Sequence, residues 1–253
     1  MAKNIIAVLN QKGGVGKTTT TLNLAAYLAK AGRSVLICDL DPQGNSTSGL
    51  GINKQELDKT LYDVLFSRAE ATKVIQTLPD KNLNVLPANA QLAGAEVELV
   101  GLEHRELKLK QVLDKLEYEY ILIDCPPSLG LLTINALTSA DSVLIPVQAE
   151  YYALEGLSQL LSVIQEVRKA LNPNLNILGV VVTLYDSRTS LSEQVKKELE
   201  KYFSEKVFAT VIPRNVKLAE APSFGRTIIE HDKWSKGARA YKALAKELEK
   251  RLN

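Results

Sequence analysis

The stretch Asn10-Gln11-Lys12-Gly13-Gly14-Val15-Gly16-Lys17-Thr18-Thr19 constrains this chain more than any other feature. It follows a short apolar run, Ile5 to Leu9, and leads into a segment with helical periodicity, Thr18 to Ala31. Strand, glycine-rich turn and helix in that order make a cradle for phosphate. Glycines at 13, 14 and 16 let backbone N–H groups turn inward on anionic oxygens, and the helix starting near Gly16 adds the positive end of its dipole. Lys17 supplies a point charge to the β- and γ-phosphates, and Thr18 is placed to ligate Mg²⁺ through its hydroxyl. A bare glycine-rich turn between strand and helix is the other reading, and it leaves so many specified residues unexplained.

The rest of the chain repeats the same alternation. Apolar runs without period-2 alternation recur at Ser34 to Cys38, Leu83 to Leu86, Tyr120 to Ile123, Ser142 to Val147, Ile177 to Leu184 and Val207 to Ile212, as strands buried on both faces require. Helical patterns lie between them at Glu106 to Leu116, Leu131 to Ser139, Leu154 to Leu171 and Leu191 to Phe203, with a Lys/Glu-laced surface helix at Ser235 to Leu252. Gly32 closes the first helix and Pro173 follows the fourth long one. The expected fold is therefore α/β: a doubly wound, mostly parallel sheet flanked by helices, of the P-loop NTPase kind. With no repeat and no long linker, residues 1–253 are expected to form a single domain.

Two further strands end in carboxylates: Cys38-Asp39-Leu40-Asp41-Pro42-Gln43-Gly44-Asn45, and Asp124-Cys125-Pro126-Pro127-Ser128. Open α/β sheets bind ligands at the carboxyl ends of their strands, so Asp39, Asp41 and Asp124 should face the crevice that holds the phosphate loop. Asp124 stands where a carboxylate would hold Mg²⁺ through water, Asp39 would support the metal's outer shell, and Asp41 is the candidate for positioning the attacking water. Taken singly, an Asp at a strand end is more often a helix N-cap; it is three of them following a phosphate loop in one chain that argues for a site. Lys12 and Lys17 complete the candidate catalytic set with Asp41.

The usual loop pattern has glycine at the position of Gln11 and no second lysine, whereas this chain carries Lys12. Lys12 to Thr18 thereby resembles the deviant Walker A ATPases, the ParA/MinD group. The resemblance implies that Lys12 reaches across a homodimer interface to the partner's nucleotide, so that ATP binding drives dimerisation. It likens Asp41 to Asn45 to switch I and Asp124 to Ser128 to switch II. Asp41-Pro42-Gln43-Gly44-Asn45, Asp124 to Gly130, Ile212-Pro213-Arg214-Asn215 and Glu150 to Gly156 are closer to the ParA/Soj partition ATPases than to MinD. In that family the loop with Pro213 and Asn215 lines the adenine. The nucleotide-binding set is then Lys12, Gly13, Gly14, Val15, Gly16, Lys17, Thr18, Thr19, Pro213 and Asn215, and the metal set Thr18, Asp39 and Asp124. Asn215 reads equally well as the N-cap of a helix.

Charge supports a polyanionic partner. The chain holds 31 basic and 29 acidic residues, yet residues 185–253 carry 15 basic against 10 acidic. Arg188, Lys217, Arg226, Lys233, Lys236, Arg239 and Lys242 are the candidates for sequence-independent, salt-dependent contact with double-stranded DNA; solvated helix faces have the same composition. No helix-turn-helix precedes the loop, so autorepression through one is not expected. The family implies a ParB-type centromere-binding partner that stimulates slow hydrolysis, with the basic residues or the Ala88 to Val100 segment as contact surfaces.

Cys38 and Cys125 lie far apart without metal-ligand spacing, which argues against a disulfide framework or zinc site and for a reducing cytoplasm; association with the nucleoid is what the family resemblance implies. Neither a signal-peptide core nor an apolar stretch of membrane-spanning length is present. The tail Ala243 to Leu252 has three Leu, no aromatic residue and two Glu, poor material for a membrane anchor of the MinD kind. The rivals are such a membrane-bound regulator and a reductase related to nitrogenase iron protein, which needs cysteines at its dimer interface. His104 and His231 lack ligand partners, Tyr151-Tyr152 reads as packing, and a lone Trp234 carries no assignment.

Overall fold

A computed structural model describes residues 3–80, 82–150 and 155–252. Seven strands form one sheet: β1 (Asn4–Val8), β2 (Val35–Asp39), β3 (Gln76–Thr77), β4 (Leu83–Leu86), β5 (Tyr120–Asp124), β6 (Ser142–Gln148) and β7 (Asn176–Thr183), in the order β3-β4-β2-β5-β1-β6-β7. Every neighbouring pair is parallel except β3 with β4.

The strands are apolar at successive positions because both faces are covered. Ile5, Ala7 and Leu9 enter one core with Leu36, Cys38, Ile121 and Ile123, while Ile6 and Val8 enter the other with Val35, Ile37 and Leu122. The first core is closed by the Leu131–Ser139, Glu155–Ala170 and Ser190–Phe203 helices through Leu132, Leu160, Ile164, Val195 and Leu199. The second is closed by the Lys17–Lys30 and Lys236–Leu252 helices through Leu24, Leu28, Tyr241, Leu244 and Leu248. At about 25 cal/mol per Å² of apolar surface, such two-sided burial is what holds parallel strands together.

Most of the expected elements fall within a residue or two of their observed bounds. One strand does not form: Val207 to Ile212 makes a single isolated parallel bridge with β7, Val180 with Val207, and just past both segments Tyr185 bridges Pro213. The reason is a side chain from the C-terminal helix. Glu247 accepts the backbone N–H groups of Ala209 (2.8 Å) and Thr210 (2.9 Å), drawing the middle of the run off the ladder. The expected Glu106 to Leu116 helix is also shorter, Lys108–Leu113, with a 3₁₀ turn before it and three-residue backbone bonds closing Lys115 and Leu116. β3, two exposed residues long, had no apolar pattern to announce it. The Tyr151-Tyr152 pair lies outside the described residues.

Candidate functional site: a phosphate loop and two buried carboxylates

β1 is the pivot of the site. Flanked by β5 and β6, it delivers the loop to the carboxyl edge of the sheet, where Asp124 is the register partner of Val8 on one side and of Asp39 on the other. Loop residues are pinned from several directions. Asn10 donates to the Pro146 carbonyl (2.7 Å) and accepts the Lys12 N–H (2.9 Å); the Thr183 hydroxyl donates to the Val15 carbonyl (2.7 Å). Gly14 and Gly16 hold φ of 75° and 86°, a region that side chains strain against, and Gly16 starts the Lys17–Lys30 helix without a side-chain cap. The helix's free N–H groups therefore face the crevice.

Lys17 is buried and donates to the Lys12 carbonyl (3.2 Å). Burial pushes its ammonium below the usual range, against the pull of Asp124, Cys125 and Asp41. Lys12 points elsewhere: its Nζ lies 3.4 Å from Glu150, which also faces Arg214 at 3.7 Å and accepts from Gln148.

Asp39 and Asp124 are fully buried side by side. Burial, then the neighbouring Asp124 charge, raises the Asp39 carboxyl; two bonds from Thr47 oppose this, its N–H at 2.8 Å and its hydroxyl at 2.7 Å, both to Oδ2. Burial likewise raises Asp124, opposed by the Ser46 hydroxyl (2.7 Å to Oδ2) and by Thr18 and Lys17. Among the described residues, Asp124 Oδ1 is buried without a hydrogen-bond partner. An orphaned carboxylate oxygen costs free energy unless something cationic meets it. With Thr18 beside it, a hard divalent cation with oxygen ligands fits these residues. Asp41 is buried and accepts the Gln43 N–H on Oδ1 at 2.9 Å.

Pro213 and Asn215 come together with the loop. A cleft of about 100 Å³ is lined by Gly16, Thr19, Thr183, Pro213, Asn215 and Tyr241, among others. Asn215 is also an N-cap, its Oδ1 accepting the Leu218 N–H at 3.3 Å, which is one of its two sequence readings.

The basic candidates are all exposed but do not form one group. Lys236, Arg239 and Lys242 share the outer face of the Lys236–Leu252 helix, opposite the buried Ala238, Tyr241 and Leu244, and Lys233 precedes it with its ammonium 5.2 Å from the Trp234 ring. Arg226 and Lys217 sit on the adjoining segments, Lys217 paired with Glu220 at 2.9 Å. Arg188 lies in the turn after β7 and is bound to Asp186 by Nε (2.9 Å) and Nη2 (2.7 Å). Sequence reasoning missed Ser46, Thr47 and Glu150. Nothing in periodicity marks the first two, although they directly follow the Asp41 to Asn45 motif.

Comparisons with known proteins agree with this geometry. The family model described as an AAA domain matches residues 3–177. The sporulation initiation inhibitor protein Soj of Bacillus subtilis is 58% identical over 246 residues, covering 96% of this chain and 97% of its own length. The chromosome partitioning protein ParA of Myxococcus xanthus is 53% identical over 249 residues, covering 98% and 88%. Among solved structures, one described as cobyrinic acid a,c-diamide synthase from Mycobacterium smegmatis, with bound ADP and magnesium, superposes with a TM-score of 0.88 at 39% identity, covering 99% of this chain and 96% of that one.

Proposed function

This chain belongs to the Soj/ParA family of chromosome-partitioning ATPases, and we propose that it is a nucleotide-switched homodimer that holds nonspecific DNA while loaded with ATP and releases it after slow hydrolysis. The observation that carries the reading is the partnerless buried Oδ1 of Asp124, set beside Thr18 and Lys17 at the mouth of the phosphate loop. As a partition ATPase it takes ATP as substrate and Mg²⁺ as cofactor. All 253 residues act as one ATPase domain.

Each residue has a part that follows from its position. The N–H groups from Gly13 to Thr19 and the Lys17 ammonium neutralise the triphosphate. Thr18 and Asp124, with Asp39 behind them, would hold Mg²⁺, which when bound spreads charge from the β- and γ-oxygens. Asp41 orients a water for in-line attack, and Pro213 and Asn215 bound the base. Phosphoryl transfer asks for positioning and charge neutralisation, so these parts suffice for a slow hydrolase. In the dimer Lys12 leaves Glu150 and reaches the partner's nucleotide, adding a second cation.

Two copies double a basic surface built on Lys233, Lys236, Arg239 and Lys242, so that ATP raises DNA affinity without changing any contacting residue. Arg188, Lys217 and Arg226 extend it. A ParB-type centromere-binding protein stimulates hydrolysis, and the protein works in the cytoplasm on the nucleoid. The lipid-binding alternative has little to stand on: Leu244 and Leu248 are buried in the core, and no helix among the described residues is long and apolar enough to cross a membrane. Cys38 and Cys125 are both fully buried, which disfavours a cluster bridging two subunits.

DNA retention by wild type and Lys12→Ala, measured with ATP across a salt series, tests the reading. The expected result is tight, salt-sensitive binding by wild type alone. Equal binding by the variant removes the link between Lys12, the dimer and DNA.

A further inference from the structure

Ser46 and Thr47 open the short Asn45–Gly49 helix, directly after the Asp41 to Asn45 motif, and both are fully buried. Consecutive side chains on one helix turn fall about 100° apart, so two neighbours can serve two different carboxylates at once. Here they do. Ser46 takes Oδ2 of Asp124, and Thr47 takes Oδ2 of Asp39 with both its hydroxyl and its N–H. Thr47 Oγ1 also accepts the N–H of Ala88 at 2.9 Å, the second residue past the end of β4. One hydroxyl thus joins three parts of the chain: the end of β2, the segment after the Asp41 motif, and the exit of β4.

The arrangement resolves a physical difficulty. Two carboxylates placed opposite each other in a low-dielectric interior repel, and each tends to rotate away or take up a proton. Short bonds fixed on Oδ2 of each carboxylate, with a longer 3.4 Å bond from the Asp41 N–H on Asp39 Oδ1, hold the pair in place and decide which oxygen remains available. For Asp124 that is Oδ1, the partnerless one.

We propose that Ser46 and Thr47 are positioning residues for the metal-nucleotide site: a hydroxyl clamp that orients Asp124 and Asp39 and, through Thr47, ties that orientation to the backbone at Ala88. The inference rests on the nucleotide reading given above for its metal arm and on geometry alone for its Ala88 arm.

The experiment compares Thr47→Val, Thr47→Ser and Ser46→Ala with wild type. Valine keeps the shape of threonine without its hydroxyl, and serine restores the hydroxyl. The first measurement is binding of a fluorescent ATP analogue as MgCl₂ is titrated. Thr47→Val and Ser46→Ala should need about tenfold more Mg²⁺ or beyond for half-saturation, the usual effect of removing a partner behind a metal ligand, and Thr47→Ser should lie within about twofold of wild type. The second is amide exchange at Ala88 in nucleotide-free protein, which should speed up in Thr47→Val and remain slow in Thr47→Ser and Ser46→Ala.

Wild-type Mg²⁺ dependence in both Thr47→Val and Ser46→Ala overturns the clamp, as does a folded Thr47→Ser that is as impaired as Thr47→Val. Unchanged Ala88 exchange in Thr47→Val overturns the tie to β4. Absence of Mg²⁺-dependent nucleotide binding in wild type sinks the nucleotide reading and the metal arm together, while the exchange measurement still decides the tie.

Discussion

Lys12 Nζ lies 3.4 Å from Glu150, so the lysine proposed to cross to a partner subunit is held at home by a carboxylate of its own chain. Both side chains are a little under half exposed, 42% and 45%, which limits such a pair to about 0.2–1 kcal/mol. The contact is weak enough to be given up when a triphosphate arrives. Glu150→Ala is expected to lower the protein concentration at which the ATP-bound dimer forms by about 1.4- to fivefold for each of the two Lys12–Glu150 contacts given up, the same free energy read as a ratio. Sedimentation with a non-hydrolysable ATP analogue measures it; a higher dimerisation threshold in the variant would show that Glu150 instead supports the interface.

Asp41→Ala should keep ATP binding near the wild-type level and lose turnover by about 10²-fold or more, in line with removal of a group that acts only on the attacking water. Paired measurements of nucleotide affinity and phosphate release separate the two effects. Loss of binding equal to the loss of turnover would assign Asp41 to ground-state binding.

Lys17→Ala should abolish nucleotide binding, because Lys17 is the buried cation of the loop and its removal leaves Asp124 without its nearest positive charge. Calorimetric titration with ATP reads this directly. Binding within threefold of wild type would move the phosphate-neutralising role to the backbone and to Lys12.

Gly44 sits at φ 60°, and a Cβ there would meet the Ala88 carbonyl oxygen at 2.7 Å. Gly44→Ala therefore combines backbone strain with a backbone clash and should cost about 1–3 kcal/mol, seen as a lower Tm. An unchanged Tm would mean that the loop moves away from Ala88 without penalty.

The architecture was legible in the sequence because a parallel sheet covered on both faces writes its strands as short, mostly apolar runs, and β1, β2, β4, β5, β6 and β7 all carry one, with Asn84 inside that of β4. Val207 to Ile212 has the same composition, but its fate was decided by Glu247, a residue some 35 positions downstream whose reach no local pattern encodes. The site was half legible for a similar reason. Lys17, Thr18 and the strand-end aspartates are fixed by their distance along the chain from a strand or a glycine. Ser46, Thr47 and Glu150 matter only through what the fold brings against them, and Ser and Thr just inside a helix would ordinarily be taken for capping residues.

Glu247 also gives a prediction about pH. Its carboxyl is held below the ordinary range: burial raises it, but the Thr210 and Ala209 N–H groups and Arg251 outweigh that. A depressed folded-state value means stability that is present above the unfolded glutamate range, near 4.5, and is lost as the pH falls through the folded value. Glu247→Gln should therefore be less stable than wild type at neutral pH by about 1–2 kcal/mol, and the gap should close in acid. Denaturant melts at several pH values measure the gap, and a pH-independent difference would assign the loss to shape rather than charge.

β1 precedes the other six strands of its sheet along the chain, yet both of its neighbours come late, since β5 begins at Tyr120 and β6 at Ser142. More than half of the chain must leave the ribosome before the phosphate cradle has walls. Until then the Ile5 to Leu9 segment is an unpaired, wholly apolar edge, the kind of surface that chaperones recognise and that aggregates when translation stalls. The order of the strands thus makes ligand competence a late event in the life of each molecule, and a nascent chain cut short before β6 would be expected to occupy the quality-control machinery without ever competing for ATP.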